Sequence, residues 1–231
     1  MFLEPTSLSA NALLMTETVE RHYGIDPKPL LDKLDMDPAL MYKPGARYPT
    51  LKMIALWKMI VEETGDPCVG LVIGSNVKTT TFHALSFAWL ASSSITEELK
   101  RLQRYFKVIC SMPLDLDIVD DGTHYRFEVH YPEGSPMGPP ESIDAFFMAM
   151  LRLCRLTRDD DFCPTKVCFT ADHNRASISR YTDAFSAPVE LGTPFNYIEF
   201  DKAECDAMLS GRNIELAMAN ERILDSYVQA L

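Results

Sequence analysis

Histidines and acidic residues are the side chains here that could bind a metal ion or transfer protons, and their spacing supports neither. No two histidines follow the H-x-x-x-H or H-E-x-x-H pattern of a zinc site. His124 and His130 would lie about 20 Å apart on one extended strand, which is too far for one metal ion. The three aspartates at 159–161 lack the alternating oxygen ligands and the turn glycine of a calcium loop. The sequence therefore predicts no metal site and no cofactor.

Patterns for nucleotide binding and nucleophilic catalysis are also missing. The ten glycines form neither a G-x-G-x-x-G nor a G-K-[ST] loop, and no G-x-S-x-G motif occurs. The six cysteines are scattered without a C-x-x-C pair, which is typical of reduced thiols in a cytoplasmic protein. These observations predict a cytoplasmic protein that is not an enzyme.

Aromatic residues give the strongest indication of a binding function. An apolar cleft between the helices and the predicted sheet, ringed by a few polar groups, is the expected place for a small molecule. The candidate ligand-binding residues are Trp57, Phe87, Trp89, Arg104, Tyr105 and His130. The alternative is that the aromatic side chains only pack the core, which is the usual role of large rings.

The overall composition restricts the partners. The chain has 231 residues, a formal net charge of -11 at pH 7, a pI near 4.9 and a mean hydropathy of -0.07. Because an acidic surface repels phosphate backbones, we do not expect this chain to bind nucleic acid by itself. No apolar run reaches the ~18 residues of a membrane span and no secretory signal is visible, so no membrane partner is expected. The acidity favours an amine or amino acid as effector, whereas the aromatic cleft favours an apolar or ring-bearing one.

Hydrophobic periodicity predicts an α+β fold: a helical N-terminal half, then a small antiparallel sheet backed by helices, and a terminal linker helix. Helices are predicted at 7–24, 29–34, 51–64, 82–91, 94–109 and 141–156, with short ones after Asp66–Pro67 and Asp201. Strands are predicted on both sides of the turn Asp121–Gly122, at 167–170 and at 198–200. The predicted divisions are 1–111 and 112–211, which form one domain, and the linker helix 212–231.

The last segment, 212–231, has the pattern of one amphipathic helix that no Gly, Asn or Pro ends. Such a helix is expected to lead to a second domain or a partner helix, with dimer contacts at Leu224, Val228 and Leu231. The alternative is an ordinary last helix that packs on its own domain. Glu221 is the one polar residue on the apolar seam.

Three segments together resemble the N-terminal effector domain, called the arabinose-binding domain, of one branch of the AraC/XylS transcription regulators. The first runs from Leu90 to Leu99 and is followed by Arg104–Tyr105; it is similar to the family's small-Ser-Pro-Thr-Leu-x-Glu-Ala-Leu run before an Arg-Tyr pair. The second, 185–192, reads Phe-Ser-Ala-Pro-Val-Glu-Leu-Gly and looks like the family's Phe-Gly-x-Pro-Val-x-Phe-Gly. The third is the helix at 213–231.

This sequence departs from the family pattern at four positions, where Ser93 replaces a proline, Glu98 an alanine, Ser186 a glycine and Leu191 a phenylalanine. It also lacks the two helix-turn-helix units that follow such a helix in the family. The resemblance implies an effector-sensing module that forms a homodimer, binds a small molecule and controls DNA binding by a C-terminal domain absent from this chain.

Two other functions stay open at this point. One is a stand-alone small-molecule binding protein without DNA-binding activity. The other is an enzyme of unfamiliar type that uses His130 or His173. The sequence does not fix the effector, the target promoter or the direction of regulation.

Overall fold

Helices form the first half of the chain in the computed structural model, which describes residues 4–135, 137–172 and 177–231. The helices before the main sheet are α1 (Ser9–Tyr23), α2 (Lys28–Lys33), α3 (Thr50–Thr64), α4 (Val69–Ser75), α5 (Ala84–Leu90) and α6 (Ile95–Ile109). A 3-10 helix at Pro38–Tyr42 and a pair of short antiparallel strands, β1 (Thr6–Leu8) and β2 (Arg47–Pro49), complete this half. The predicted helical N-terminal half is confirmed.

The helix ends follow signals that are visible in the sequence. Gly65 takes the left-handed conformation that ends α3, with φ of 59°. The Ser94 side chain accepts a hydrogen bond from the backbone N–H of Glu97 and so caps α6, as the capping-box pattern predicts. The sequence pattern also predicts Thr50 as the N-cap of α3. In the structure the helix already begins at Thr50, and Pro49 before it provides no side-chain cap.

Five strands form the main sheet in the order β3-β4-β7-β5-β6. Their bounds are β3 (Asp115–Asp120), β4 (His124–His130), β5 (Lys166–Phe169), β6 (Val189–Leu191) and β7 (Asn196–Asp201). The predicted hairpin is confirmed: β3 and β4 pair antiparallel, with Ile118 opposite Phe127, and Gly122 in their turn has a φ of 97°.

The fold class α+β is confirmed, with one addition to the predicted sheet. Three of its four strand pairings are antiparallel, but β6 lies parallel to β5. The helices of this half are α7 (Glu141–Thr157), α8 (Ile178–Phe185), α9 (Lys202–Asp206) and α10 (Ile214–Gln229). The sequence-based predictions did not include α8 or the strands β1, β2 and β6. None of the described helices has the length and apolar character needed to cross a membrane.

The backbones of α4 and α7 touch, because glycine is the α4 residue at each crossing point. A methyl group on Gly70 would lie 2.1 Å from the backbone oxygen of Glu141, and one on Gly74 would lie 2.5 Å from that of Ala145. These distances are far below van der Waals contact, so no larger residue fits without moving a helix.

This contact joins two hydrophobic clusters. One lies among α1 to α4 and includes Leu56 and Ile60; Ala145 of α7 belongs to it. The other surrounds the sheet and includes Phe127, Phe147 and side chains of α5, α6 and α10. Each cluster therefore contains residues from both sides of position 111. The predicted division of the chain at that position stays a prediction from the sequence.

We expect Gly70→Ala to lower the free energy of unfolding by about 3 kcal/mol, because the added methyl group overlaps the α7 backbone. The higher helix propensity of alanine offsets only about 1 kcal/mol of this loss. Urea denaturation would measure it. Gly211→Ala is the matched control, since no atom lies within 4 Å of its added methyl group. Equal stability of the two variants would contradict this account of the helix contact.

Candidate ligand cavity

A cavity of about 180 Å³ lies between the helical half and the sheet. Side chains of α1, α3, α5, α6 and α7 line it, together with the end of β4. Most of these side chains are aliphatic, aromatic or thioether groups. The aromatic members are Trp57, Phe82, Trp89, Phe106, Tyr131 and Phe146, and the thioethers are Met15, Met53, Met112 and Met150.

Helical spacing brings these side chains to one place. On α3 the lining residues are Thr50, Met53, Ile54 and Trp57, which follow the i, i+3, i+4, i+7 pattern of a single helix face. Ile54 and Trp57 are only partly buried, and Trp57 also packs against the hydrophobic cluster of the helical half.

One end of the cavity is polar and uncharged. Ser7 donates a hydrogen bond to the sulfur of Cys110 at 3.2 Å, and the Thr50 hydroxyl lies 4.0 Å from the same sulfur. The Asn11 amide group reaches the backbone oxygen of Ile109 at 3.5 Å. Burial, with a smaller contribution from Cys110, raises the pKa of Tyr131 to about 12, so its phenol stays protonated. No Asp, Glu, Lys, Arg or His is among the described lining residues.

A buried acid lies next to one wall of the cavity. Glu98 on α6 is fully buried, and in the described part of the chain neither of its carboxyl oxygens has a hydrogen-bond partner of normal geometry. The indole N–H of Trp89 is buried and also lacks a partner of normal geometry, and it lies near the carboxyl group together with Thr157 and Cys154. Burial raises the pKa of Glu98 well above its ordinary value and so favours the neutral, protonated form of this side chain.

Two of the six predicted ligand-binding residues, Trp57 and Trp89, line the cavity. Phe87 does not, because it lies on the outer side of α5 with 42% of its surface exposed. His130 does not either, because strand alternation turns Val129 and Tyr131 toward the cavity and places His130 on the opposite face. His130 there lies 3.0 Å from Glu128. His173, the other histidine of the enzyme hypothesis, lies outside the described residues.

Arg104 and Tyr105, the remaining two candidates, face α10 and not the cavity. The Tyr105 hydroxyl donates to the Asp225 carboxylate at 2.9 Å, and the Arg104 guanidinium lies 3.3 Å from the same carboxylate. Burial, helped by the Asp225 carboxylate, raises the pKa of Tyr105 to about 12. The pair therefore anchors α10.

The terminal helix α10 packs on α5 and α6 of its own domain. Its innermost side chains are Ala217 and Leu224, of which 1% and 0% is exposed. Leu224 was predicted at a dimer contact, but this burial leaves it no surface for a partner chain. Val228 and Leu231, the other two predicted contacts, lie at the surface.

Several lining residues were missed by the sequence prediction. Three of them could have been predicted from the apolar pattern, because each lies on the same helix face or the same side of a strand as other apolar residues: Phe106, Phe146 and Tyr131. The polar end near Cys110 could not, because it forms only when α1, α3 and α6 meet.

One group of possible metal ligands lies away from the cavity. Ligand atoms of Asp121, His124 and Glu199 lie within 4.8 Å of one another. Asp121 already accepts hydrogen bonds from the backbone N–H groups of Thr123 and His124, which lower its pKa to about 2. These contacts are those of a hairpin turn, and they give no separate indication of a metal ion.

Comparison with protein families decides what kind of domain contains this cavity. Residues 24–209 match the family model described as the arabinose-binding domain of AraC transcription regulator, N-terminal. The chain belongs to this family. The family resemblance seen in the sequence is therefore confirmed, and the arabinose-binding domain of AraC-type regulators is a ligand-sensing regulatory domain.

Two regulators of Pseudomonas aeruginosa are similar to this AraC-type domain, one in sequence and one in fold. The ornithine utilization regulator is 22% identical over 179 residues, which are 76% of this chain and 51% of that protein. The chain thus spans about half the length of the curated relative it matches. The crystal structure of the transcriptional regulator CdpR matches with a TM-score of 0.61 at 13% identity, over 88% of this chain and 63% of that one. The likeness to CdpR shows a shared fold.

We expect Glu98→Gln to stabilise this AraC-type domain increasingly as the pH rises above about 4.5. The unfolded chain releases the Glu98 proton near that pH, whereas the folded chain keeps it, so wild-type stability falls with rising pH. The neutral amide removes this loss, which amounts to at most about 1.4 kcal/mol per pH unit. Burial also raises the pKa of Asp144, to about 7. Asp144 therefore changes the stability of the wild type and of the variant with pH in the same way, and its contribution cancels when the two stabilities are subtracted.

Urea denaturation of both proteins at pH 5, 6, 7 and 8 would measure this difference. Glu62→Gln is the control, because Glu62 is exposed. A stability difference that stays constant with pH would refute the assignment of a protonated Glu98.

Proposed function

We propose that this chain is the effector-sensing domain of an AraC-type regulator, and that it binds a small molecule in the cavity and transmits its occupancy to α10. One observation carries the proposal: α5 and α6 lie between the cavity and α10. Family membership supports a ligand-sensing role, and the position of these two helices supplies a physical route from a ligand to the end of the domain.

Helix α5 contacts the cavity on one side and α10 on the other. Leu85, Ser86 and Trp89 line the cavity. At the end of α5, the backbone oxygen of Ala91 accepts a hydrogen bond from the backbone N–H of Asn213, the residue that caps α10. A displacement of α5 by a ligand would therefore move the start of α10.

Helix α6 makes a second connection of the same kind. Phe106 and Ile109 line the cavity, whereas Arg101 faces α10 and donates to the Glu221 carboxylate at 2.7 Å. Arg101 also binds Ser92 at 2.7 Å and Glu97 at 3.0 Å. Its side chain is only 15% exposed, so this ion pair is better shielded from water than an ordinary surface pair.

The energetic requirement for such a sensor is modest. A ligand shifts the equilibrium between two arrangements of α10 by no more than its difference in affinity for them. Couplings of about 1–3 kcal/mol are typical of regulated proteins. A few rearranged contacts between α10 and the two wall helices would provide this amount.

The complete regulator would contain more than this domain. Its relatives are transcription regulators, and this chain spans about half of one of them and 63% of the other. We therefore place DNA binding in a separate C-terminal domain, which fits the net charge of -11 of this chain. Homodimerisation would use exposed apolar side chains at this end of the domain. Those of α10 are Ile214, Leu216, Met218, Ile223 and Val228, and Leu231 follows the helix.

The proposed sensing role predicts that small molecules that bind the cavity change the hydrogen exchange of α10. A thermal-shift screen of metabolites would identify binders. Ile54→Phe, which fills the cavity from α3, should abolish their effect, whereas Leu51→Phe on the exposed side of the same helix should not. For each binder, amides of α10 should exchange at least about threefold faster or slower. Cavity binders that leave α10 exchange unchanged would contradict the proposal.

The dimer proposal predicts that Ile223→Asp combined with Val228→Asp yields a monomer. Both side chains are exposed, at 44% and 38%, so the fold should survive, and they lie on either side of the buried stripe of α10. Light scattering over a range of concentrations measures the mass. Leu51→Asp, a comparable change at an exposed leucine of α3, is the control. A monomeric wild type, or an unchanged dimer in the double variant, would refute this contact.

A further inference from the structure

We infer that the effector of this cavity is an uncharged, mainly apolar molecule about the size of one or two fused rings, with one hydrogen-bonding group. The inference rests on the proposed function, since it assigns a chemical class to the ligand of that same cavity. Three properties of the cavity support the inference. Its wall has no charged side chain among the described residues, its volume and flexible side chains suit a small molecule, and its polar groups meet at one end.

The lack of charge excludes an ionic effector. The described lining residues include no side chain that could pair with an ammonium group or a carboxylate. An ion moved from water into such a site loses its hydration without compensation, at a cost of several kcal/mol. The acidic residues that give the chain its net charge of -11 lie outside the wall, so this charge does not select a cationic ligand.

The size of the cavity limits the ligand to a small molecule. Its volume is about 180 Å³, and an apolar cavity of about 150 Å³ accommodates benzene. Aromatic rings such as Trp57, Phe106 and Phe146 offer flat apolar surfaces. Thioether side chains such as Met53 and Met150 adjust their shape at little energetic cost, so a second fused ring could be accepted.

The polar end gives the ligand one preferred orientation. Ser7, Thr50 and Cys110 meet there, and Asn11 and the protonated phenol of Tyr131 also line the cavity. These groups can donate and accept hydrogen bonds without carrying charge. A hydroxyl, carbonyl or amide on the ligand would find a partner there. The rest of the wall is mainly apolar, and the hydroxyls of Ser86 and Ser142, which also line it, already bond to the backbone of Phe82 and Pro139.

The chain has a built-in reporter for this inference. Its two tryptophans, Trp57 and Trp89, both line the cavity, so its tryptophan fluorescence comes from the site alone. A bromine atom quenches an indole that it contacts. Three probes share a brominated ring and differ only in charge: 4-bromobenzyl alcohol is neutral, 4-bromobenzylamine is a cation and 4-bromobenzoate is an anion at neutral pH.

We expect 4-bromobenzyl alcohol to quench the fluorescence in a saturable way, and both ions to bind at least about tenfold more weakly. Ile54→Phe should weaken binding of the alcohol at least about tenfold, while Leu51→Phe should leave it unchanged. If Ile54→Phe does not fold by circular dichroism, Ala149→Leu on α7 fills the cavity from another side.

The outcomes separate this inference from the proposed function. If either ion binds within about threefold of the alcohol and Ile54→Phe weakens it, the assigned ligand class is wrong while the cavity remains a binding site. If no probe quenches in a saturable way, or if Ile54→Phe changes nothing, the cavity is not a ligand site. The proposed function then fails as well.

Discussion

The direct contact between the backbones of α4 and α7 is the constraint on which the rest of the structure depends. Gly70 and Gly74 allow α4 of the helical half to touch the backbone of α7, a helix that also packs in the cluster around the sheet. Helix α7 turns one side toward these glycines and another toward the cavity, where Phe146 and Leu153 form part of the wall. The same helix thus takes part in the close contact with α4 and in the wall of the cavity.

The interior and the surface of this domain have opposite electrostatic character. The net charge of -11 is a property of the whole chain, whereas the cavity wall contains no ionic side chain among the described residues. Burial also raises the pKa of Glu98, the acid next to the wall, and so favours its uncharged form. The two sequence-based expectations about the effector thus refer to different places. The acidity describes the surface, and the aromatic content describes the cavity.

Local features of the fold were predictable, and tertiary ones were not. The capping box at Ser94 and the turn at Gly122 depend only on neighbouring residues, and both predictions are confirmed. For the cavity, Trp57 and Trp89 followed from their place among apolar helices. Arg104 and Tyr105 belong to the contact with α10, because which face of α6 meets which neighbour depends on how the helices assemble. His130 is a different case, since its strand parity already set it apart from Val129 and Tyr131.

Helix α5 has only seven residues, from Ala84 to Leu90, yet it contacts both the cavity and α10. No residue layer separates the two contacts. If the cavity is the effector site, a single substitution in α5 alters both the recognition of the ligand and the surface on which α10 packs. Effector preference and regulatory response would then have to evolve together. A graft of this cavity onto another output domain would need α10 to be transferred with it.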